Sequence, residues 1–140
     1  MKRILTKKPL KSVIILLVSY ALLVVLFESS LGYFQPESAS TLQITTVDAD
    51  GAVNQRILAR LESTGQLYVA ANHWPRAWYR EALANSSVQV SLESERGSYI
   101  AVPVEGAEHD SVNADNPLGL MFRILTGFPP RYFLRLDRAD

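Results

Sequence analysis

The chain has 140 residues, a length that suits one domain and a small appendage. It contains no cysteine, which excludes disulfides, zinc–thiolate sites and cysteine nucleophiles together. The formal net charge is zero, but the charges are unevenly placed. The first eleven residues hold five cations and no acid, whereas the sequence from Gln35 onward holds nine arginines and thirteen acids. An acidic domain lacks the basic face that nucleic-acid binding requires, so we expect no nucleic-acid partner.

A long apolar segment follows the basic tip. Sixteen uncharged residues, SVIILLVSYALLVVLF, lie between Lys11 and Glu28. As a helix they span about 24 Å, and the residues after Glu28 add a further turn and a half, close to the ~30 Å of a hydrocarbon core. Tyr33 and Phe34 suit the aromatic belt at the far interface. The segment predicts a transmembrane helix that contacts the lipid bilayer through residues 12–34.

Two other interpretations of this segment remain open. One is a buried core helix, although core helices are seldom apolar on every face. The other is a cleaved signal peptide, which has the same basic–apolar order, and Ser30-Leu31-Gly32 is a marginal match to a cleavage site. The uncleaved anchor agrees better with the sequence, and we adopt it as the expectation.

The cations before the span predict the orientation of the anchor. They favour a cytoplasmic N-terminus and an exported domain, on the periplasmic or extracellular side of the cell membrane. Residues 1–34 are then the basic tip and the transmembrane helix, residues 35–40 a short polar linker, and residues 41–140 a folded domain held close to the membrane surface.

The domain alternates short β-rich runs with two helical stretches. Asp48-Ala49-Asp50-Gly51 has the chemistry of a hairpin turn. One helix is predicted over residues 75–84 and a second within residues 108–125, interrupted at Asn116-Pro117. Six strands are predicted, over residues 42–47, 57–61, 67–71, 87–92, 99–104 and 132–136. The pattern indicates an α+β fold built on a small antiparallel barrel.

The first helix of the domain carries an unusual number of aromatic residues. Trp74, Trp78 and Ala82 form one row along it, and Tyr79 and Leu83 form the neighbouring row. Such a stripe ordinarily packs on a core, and we expect Trp78 and Leu83 to do so.

The same helix carries Arg76 and Arg80, which repel each other at i, i+4. Neither has an acid three or four residues away, so they form either a solvated face or a site for an anionic partner. His73 and His109 lack the spacing of metal ligands, and no metal site is expected.

Three segments together resemble the deazaflavin-dependent nitroreductase family. They are Val69-Ala70-Ala71-Asn72 followed by Pro75-Arg76-Ala77-Trp78-Tyr79-Arg80-Glu81-Ala82-Leu83-Ala84-Asn85, the helix start Ala107-Glu108-His109-Asp110-Ser111-Val112, and the closing strand at residues 131–136. The resemblance covers residues 41–140. It implies a split β-barrel related to the flavin-binding pyridoxamine-phosphate-oxidase-like folds, so the expected architecture is a transmembrane helix followed by a six-stranded antiparallel split β-barrel with two helices.

The resemblance also implies a cofactor, either the deazaflavin coenzyme or FMN, and is compatible with a homodimer. No catalytic residue is assigned, because the cofactor of such an enzyme carries the reaction. The implied cofactor contacts are Asn72, His73, Trp74 and Arg76 at the ring, Trp78 and Tyr79 as the wall, and Arg56 at the phosphate tail.

The sequence departs from the family at the loop between the first two strands. The family places Gly-Arg-Lys-Ser-Gly there to hold the phosphate tail, whereas this chain has Asp48-Ala49-Asp50-Gly51-Ala52. Two carboxylates in place of two cations oppose a phosphate. Two functions therefore stay open: a membrane-anchored reductase of a quinone or nitro-type acceptor, and a non-catalytic binding or assembly module that has lost the cofactor.

Overall fold

The computed structural model describes residues 8–31, 40–72 and 77–139, which form four helices and seven strands. In chain order these are α1 (Lys8–Leu31), β1 (Thr41–Val47), β2 (Val53–Ala59), β3 (Leu61–Ser63), β4 (Gln66–Ala71), α2 (Ala77–Ala84), β5 (Ser87–Leu92), β6 (Glu95–Val104), α3 (Gly106–Asp115), α4 (Leu120–Leu125) and β7 (Tyr132–Arg138). The fold is α+β, as predicted.

All seven strands belong to one antiparallel sheet with the order β2-β1-β5-β6-β7-β4-β3. The sheet curls until β2 approaches β4, which makes a half-barrel. Asp48 to Gly51 form the predicted hairpin turn, and Val47 pairs with Val53 across it. The last strand, β7, lies between β6 and β4 in the middle of the sheet.

The predicted numbers of strands and helices were too low. The strand expected over residues 57–61 ends before Arg60, whose N–H donates to the Ser40 carbonyl (2.9 Å). Beyond it the three residues of β3 turn back on β4, and a strand of that length is too short for its alternation to be detected. The second predicted helix divides into α3 and α4, since Pro117 cannot continue the hydrogen-bond ladder of α3.

The concave face of the sheet holds the larger core. Helix α2 packs against it through Trp78 and Ala82, so the packing prediction is confirmed for Trp78. For Leu83 it was wrong, because this side chain is largely exposed. Trp74 lies outside the described residues. The other buried members of this core are Leu42, Ile44, Leu58, Val69, Ala71, Val88, Val90, Ala101, Leu134 and Leu136.

A smaller core lies on the opposite face of the sheet, beneath α3. It consists of Tyr68, Val104, Val112 and Phe133, and both Val112 and Phe133 are fully buried. Adjacent residues of a strand point to opposite faces of the sheet, so Phe133 enters the smaller core and Leu134 the larger one. Both side chains are therefore inaccessible to solvent. This second core fixes α3 on the sheet.

Within the described residues, the apolar helix α1 is exposed up to Leu23 and contacts the domain from Tyr20 onward. Its partly buried residues are Val24, Phe27, Glu28, Ser30 and Leu31. Its 23-residue apolar segment, Pro9–Leu31, has a mean hydropathy of 2.6 and none of its most apolar window is buried, unlike a core helix. The Tyr20 hydroxyl donates to the Ile124 carbonyl of α4 (2.7 Å), and the Phe27 ring meets the Phe122 ring edge-on at 6.0 Å. The domain is therefore joined to α1 through α4.

Replacing Phe133 by alanine tests the second core. The change removes a fully buried ring and should lower the free energy of unfolding by about 3–5 kcal/mol. Val53→Ala, at an exposed position, should change it by less than about 0.5 kcal/mol. Chemical denaturation of the full chain in detergent micelles measures both. Equal values for the two variants would contradict the assignment of Phe133 to a packed core.

Candidate functional site

The residues predicted to bind a cofactor fall into three places in the structure. Arg56 and Trp78 line a groove between β2 and α2, Tyr79 lies on the neighbouring face of α2, and Asn72 lines a separate cleft beside α3. His73, Trp74 and Arg76 lie outside the described residues, and their predicted roles stay predictions.

The groove between β2 and α2 holds an acid, Glu81, beside the expected cation Arg56. It has a volume of about 280 Å³, and Glu81 lies within it. The Glu81 carboxylate accepts hydrogen bonds from the Thr46 hydroxyl (2.5 Å) and the Asn54 amide (3.3 Å). Arg56 is exposed at the groove and forms no ion pair among the described residues. The groove thus presents a carboxylate held by two hydrogen bonds next to one exposed cation.

The β1–β2 turn, beside this groove, is closed by its own side chain. The Asp48 carboxylate accepts the N–H groups of Asp50 (3.0 Å) and Ala52 (2.8 Å). These amides are therefore already paired, and a phosphate cannot bind them without displacing Asp48. Arg80 and Glu81 border the hollow next to the turn. In total, two arginines (Arg56 and Arg80) face three carboxylates (Asp48, Asp50 and Glu81), so the residues at the turn do not fit a phosphorylated tail.

The other end of the predicted site is aromatic. The Tyr79 ring stacks on the Tyr132 ring at 5.7 Å with an interplanar angle of 28°, and it meets the Trp78 ring edge-on at 5.9 Å. Trp78 belongs to the core, whereas Tyr132 keeps 43% of its surface exposed. The flat surface at this end is therefore formed by Tyr79 and Tyr132, not by Trp78.

A second cleft, which we call the arginine cleft, lies where β4 ends and β7 begins. Its volume is about 410 Å³, and its lining residues are Asn72, His109, Asn113, Pro117, Leu118, Arg123, Thr126, Phe128, Pro129, Pro130 and Arg131. The wall of this cleft thus comes from α3, from α4 and from the segment between α4 and β7.

Arg131 is the centre of the hydrogen bonding in the arginine cleft. Its Nε donates to the Asn72 side-chain carbonyl (2.9 Å), and its Nη1 donates to the Asn113 side-chain carbonyl and the Asn116 backbone carbonyl (both 2.8 Å). The guanidinium also lies 4.8 Å from the centre of the Phe133 ring. All three hydrogen-bond partners are neutral, so this part-buried cation has no counter-charge among the described residues.

A second cation faces the same cleft. Arg123 lies over the Phe128 ring at 5.3 Å and takes part in none of the described ion pairs. Burial lowers the pKa of Arg131, and the charge of Arg123 lowers it further. The shift reflects burial first and the like charge of Arg123 second, and an anion in the cleft would oppose both.

His109 borders the cleft, and each of its ring nitrogens faces an acceptor oxygen. Its Nε2 lies 3.1 Å from the Arg131 backbone carbonyl, which can only accept, so Nε2 carries a proton. Its Nδ1 is 3.4 Å from an Asp110 carboxylate oxygen. The ring meets Phe133 edge-on at 5.1 Å. His109 thus holds the start of β7 against α3.

Helix α3 is fixed on the sheet by a charged network next to His109. Glu108 accepts hydrogen bonds from Arg135 Nη1 (2.8 Å) and the Tyr68 hydroxyl (2.9 Å), while Arg135 Nε donates to Asp137 (2.8 Å). The hydrogen bond from Arg135 lowers the pKa of Glu108. The hydrogen bonds to Asp137 and then to Glu108 raise the pKa of Arg135. This network positions α3 and hence its contribution to the cleft.

No group of three or more His, Asp or Glu side chains within residues 8–31, 40–72 and 77–139 is arranged to hold a metal ion. Among the described ion pairs, His109 contacts one acidic side chain, that of Asp110. The contacts of His109 described above are those of a residue that supports the structure.

The chain matches no protein-family model and no curated protein. Its fold, in contrast, matches solved structures. A heme storage protein, HutZ from Vibrio cholerae, is 18% identical with a TM-score of 0.54, and the match covers 84% of this chain and 88% of that one. An F420-H2 dependent reductase (FDR-A) is 19% identical with a TM-score of 0.52, over 71% of this chain and 97% of that one. A protein described as a domain-swapped dimer is 17% identical with a TM-score of 0.58, over 74% and 84%.

The domain has the split-barrel fold. The similar structures include F420 reductases, as the resemblance of the sequence implied, and also a heme storage protein, which the resemblance did not imply. At these identities the likeness concerns the fold of the domain, and activity has to be argued from the residues.

The sequence interpretation missed Glu81, Arg123 and Arg131. Glu81 gave no signal, because its partners Thr46 and Asn54 are 35 and 27 residues away. For the arginines a signal existed: between Asp115 and Asp137 the sequence contains three arginines and no acid. Such a stretch indicates cations that lack local partners.

The Glu108 network predicts a pH dependence of stability. Because the pKa of Glu108 is lower in the folded state, its contribution is present above the ordinary value of 4.5 and is lost as the pH falls through the folded-state value. Glu108→Gln should therefore be less stable than the wild type at pH 7, and the difference should shrink below about pH 4.5. Glu95→Gln, at an exposed position, is the control and should follow the wild type at every pH. Thermal melts between pH 3 and pH 7 that give parallel curves for Glu108→Gln and wild type would contradict this role.

Proposed function

We propose that the chain is a membrane-anchored, reductase-like split-barrel protein. In this proposal a flavin- or deazaflavin-type ring binds at the aromatic end of the predicted site, beside Tyr79 and Tyr132. The electron acceptor is a quinone or a nitro compound that partitions into the bilayer. When bound, the ring would supply hydride chemistry, and the protein would supply its orientation.

The observation that carries the proposal is the stack of Tyr79 on Tyr132. It joins α2 to the start of β7 and leaves a large part of Tyr132 exposed. A flat aromatic surface is what a flat heterocycle requires, and one stacking contact contributes about 0.5–1.5 kcal/mol beyond area burial. The fold itself supports the proposal, because similar structures include F420-H2 dependent reductases.

At the β1–β2 turn, the manner of cofactor binding must differ from that of the deazaflavin-dependent nitroreductase family, which the sequence resembles. Two arginines against three carboxylates oppose a phosphorylated tail, and the Asp48 side chain occupies the amides of the turn. Each carboxylate within a few ångströms of a phosphate costs roughly 1 kcal/mol in wet surroundings. We therefore infer that the contacts at the ring dominate and that the tail contributes little.

Anchoring is supported by α1 and by what lies next to it. The basic tip precedes an exposed apolar helix, which agrees with an N-terminus in the cytoplasm and an exported domain. Leu120 and Met121 of α4 are 66% and 68% exposed although α4 contacts α1. Large apolar side chains at this place suit a lipid environment. A homodimer is the proposed assembly, and the domain-swapped dimer among the similar structures supports it.

A second candidate is a non-catalytic binding or assembly module. The observation that favours it is Glu81, which is fixed by Thr46 and Asn54 in the groove where the tail would lie. In this case the barrel has been retained and the cofactor lost, and the aromatic stack serves packing alone.

Fluorescence titration of the full chain in detergent with FMN and with the deazaflavin coenzyme separates the two candidates. Tyr132→Leu should weaken binding roughly three- to tenfold by removing the stacking surface. Glu81→Gln should strengthen it about fivefold by removing one opposing charge. The control Glu95→Gln should bind like the wild type. The reductase-like proposal fails, and the non-catalytic one gains, if wild type and Glu81→Gln both leave the fluorescence of either cofactor unchanged.

A further inference from the structure

The arginine cleft combines two features that the proposed reductase chemistry does not use. Arg123 and Arg131 face one cavity of about 410 Å³, and neither has an acidic partner among the described residues. A part-buried cation is ordinarily paired, because burial without a counter-charge is costly. Arg131 is such a cation, and the exposed Arg123 adds a second positive charge to the same cleft, so the two together favour the entry of an anion.

The cleft is also rigid on one side and adaptable on the other. Three hydrogen bonds to neutral groups hold Arg131 in place, yet none of the described contacts uses its Nη2. The Arg123 guanidinium forms no hydrogen bond with the described residues and lies over the Phe128 ring. A fixed guanidinium with a free donor and a second guanidinium that can move towards it form a suitable fork for a tetrahedral oxyanion.

We infer that the arginine cleft binds a phosphate group, with Arg131 as the fixed donor and Arg123 as the adaptable one. The expected source is the headgroup of an anionic phospholipid. This site is separate from the acidic β1–β2 turn, and it does not involve Tyr79 or Tyr132.

The position of the cleft explains why a lipid is the expected source. Arg123 belongs to α4, and α4 contacts the apolar helix through Phe122 and Ile124. Gly127, just after α4, lies so close to α1 that an added Cβ would be 3.2 Å from Val24 Cγ1. If α1 spans the bilayer, as the proposed function assumes, the cleft lies at the level of the outer headgroups or below it. Arginine side chains at that depth extend towards phosphates.

The test uses the full chain in a zwitterionic detergent and two probes that share the phosphate group. One probe is dihexanoyl phosphatidylglycerol and the other is glycerol phosphate, both titrated by calorimetry. We expect the lipid to bind saturably and about tenfold tighter than glycerol phosphate. Arg123→Gln should weaken lipid binding about tenfold, since it removes a charge-assisted contact without touching the hydrogen bonds of Arg131. Arg131→Lys, which keeps the charge but loses the fork, should weaken it as well.

Arg80→Gln is the matched control. Arg80 is an exposed arginine beside the β1–β2 turn, and its replacement should leave the binding of both probes unchanged. Equal affinity for the two probes, still sensitive to Arg123→Gln, would confirm the phosphate site and assign its ligand to a soluble phosphate compound. Absence of saturable binding, or equal binding by wild type, Arg123→Gln and Arg131→Lys, would overturn the inference. Neither probe contains a ring, so a failed flavin titration leaves this result unaffected.

Discussion

The contact between α1 and α4 is the constraint on which the placement of the rest depends. The hydrogen bond from Tyr20 to the Ile124 carbonyl and the packing of Phe27 on Phe122 join an exposed apolar helix to a folded half-barrel. Tyr20 lies seven residues before the end of the apolar run, which corresponds to about 10 Å along a helix. In a spanning α1, therefore, α4 would lie among lipid chains, and the exposure of Leu120 and Met121 agrees with that environment.

Charge is distributed over the domain in a way that separates two kinds of site. Carboxylates gather at the β1–β2 turn, where Asp48 closes the turn and Glu81 is fixed by two hydrogen bonds. Cations gather at the arginine cleft, which lies next to α4. The turn therefore opposes the binding of a phosphate, whereas the cleft favours it. Tyr79 and Tyr132, which form the aromatic stack, line neither the arginine cleft nor the hollows beside the turn.

The sequence predicts those parts of the structure that depend on local periodicity. Strand β5 has the predicted bounds because Ser87 to Leu92 alternate strictly, and the β1–β2 hairpin follows from its turn residues. Strand β3 was missed because a strand of three residues is too short to show an alternation of apolar and polar positions. The site was less predictable, because its contacts are long-range: Arg131 meets Asn72 across 59 residues. Trp78 was expected to pack on the core, and this is confirmed because the apolar row along α2 is itself a local period.

The absence of cysteine permits a direct test of the central claim, that α4 lies in the membrane beside α1. A nitroxide label on Met121→Cys in lipid vesicles reports its depth from the relative accessibility to oxygen and to a water-soluble nickel chelate. Leu16→Cys, in the apolar run, is the buried reference, and Asp50→Cys, in the β1–β2 turn, is the aqueous one. We predict that the label at position 121 resembles the label at position 16, with oxygen accessibility exceeding nickel accessibility. A label at position 121 that is as accessible to nickel as the label at position 50 would contradict the account.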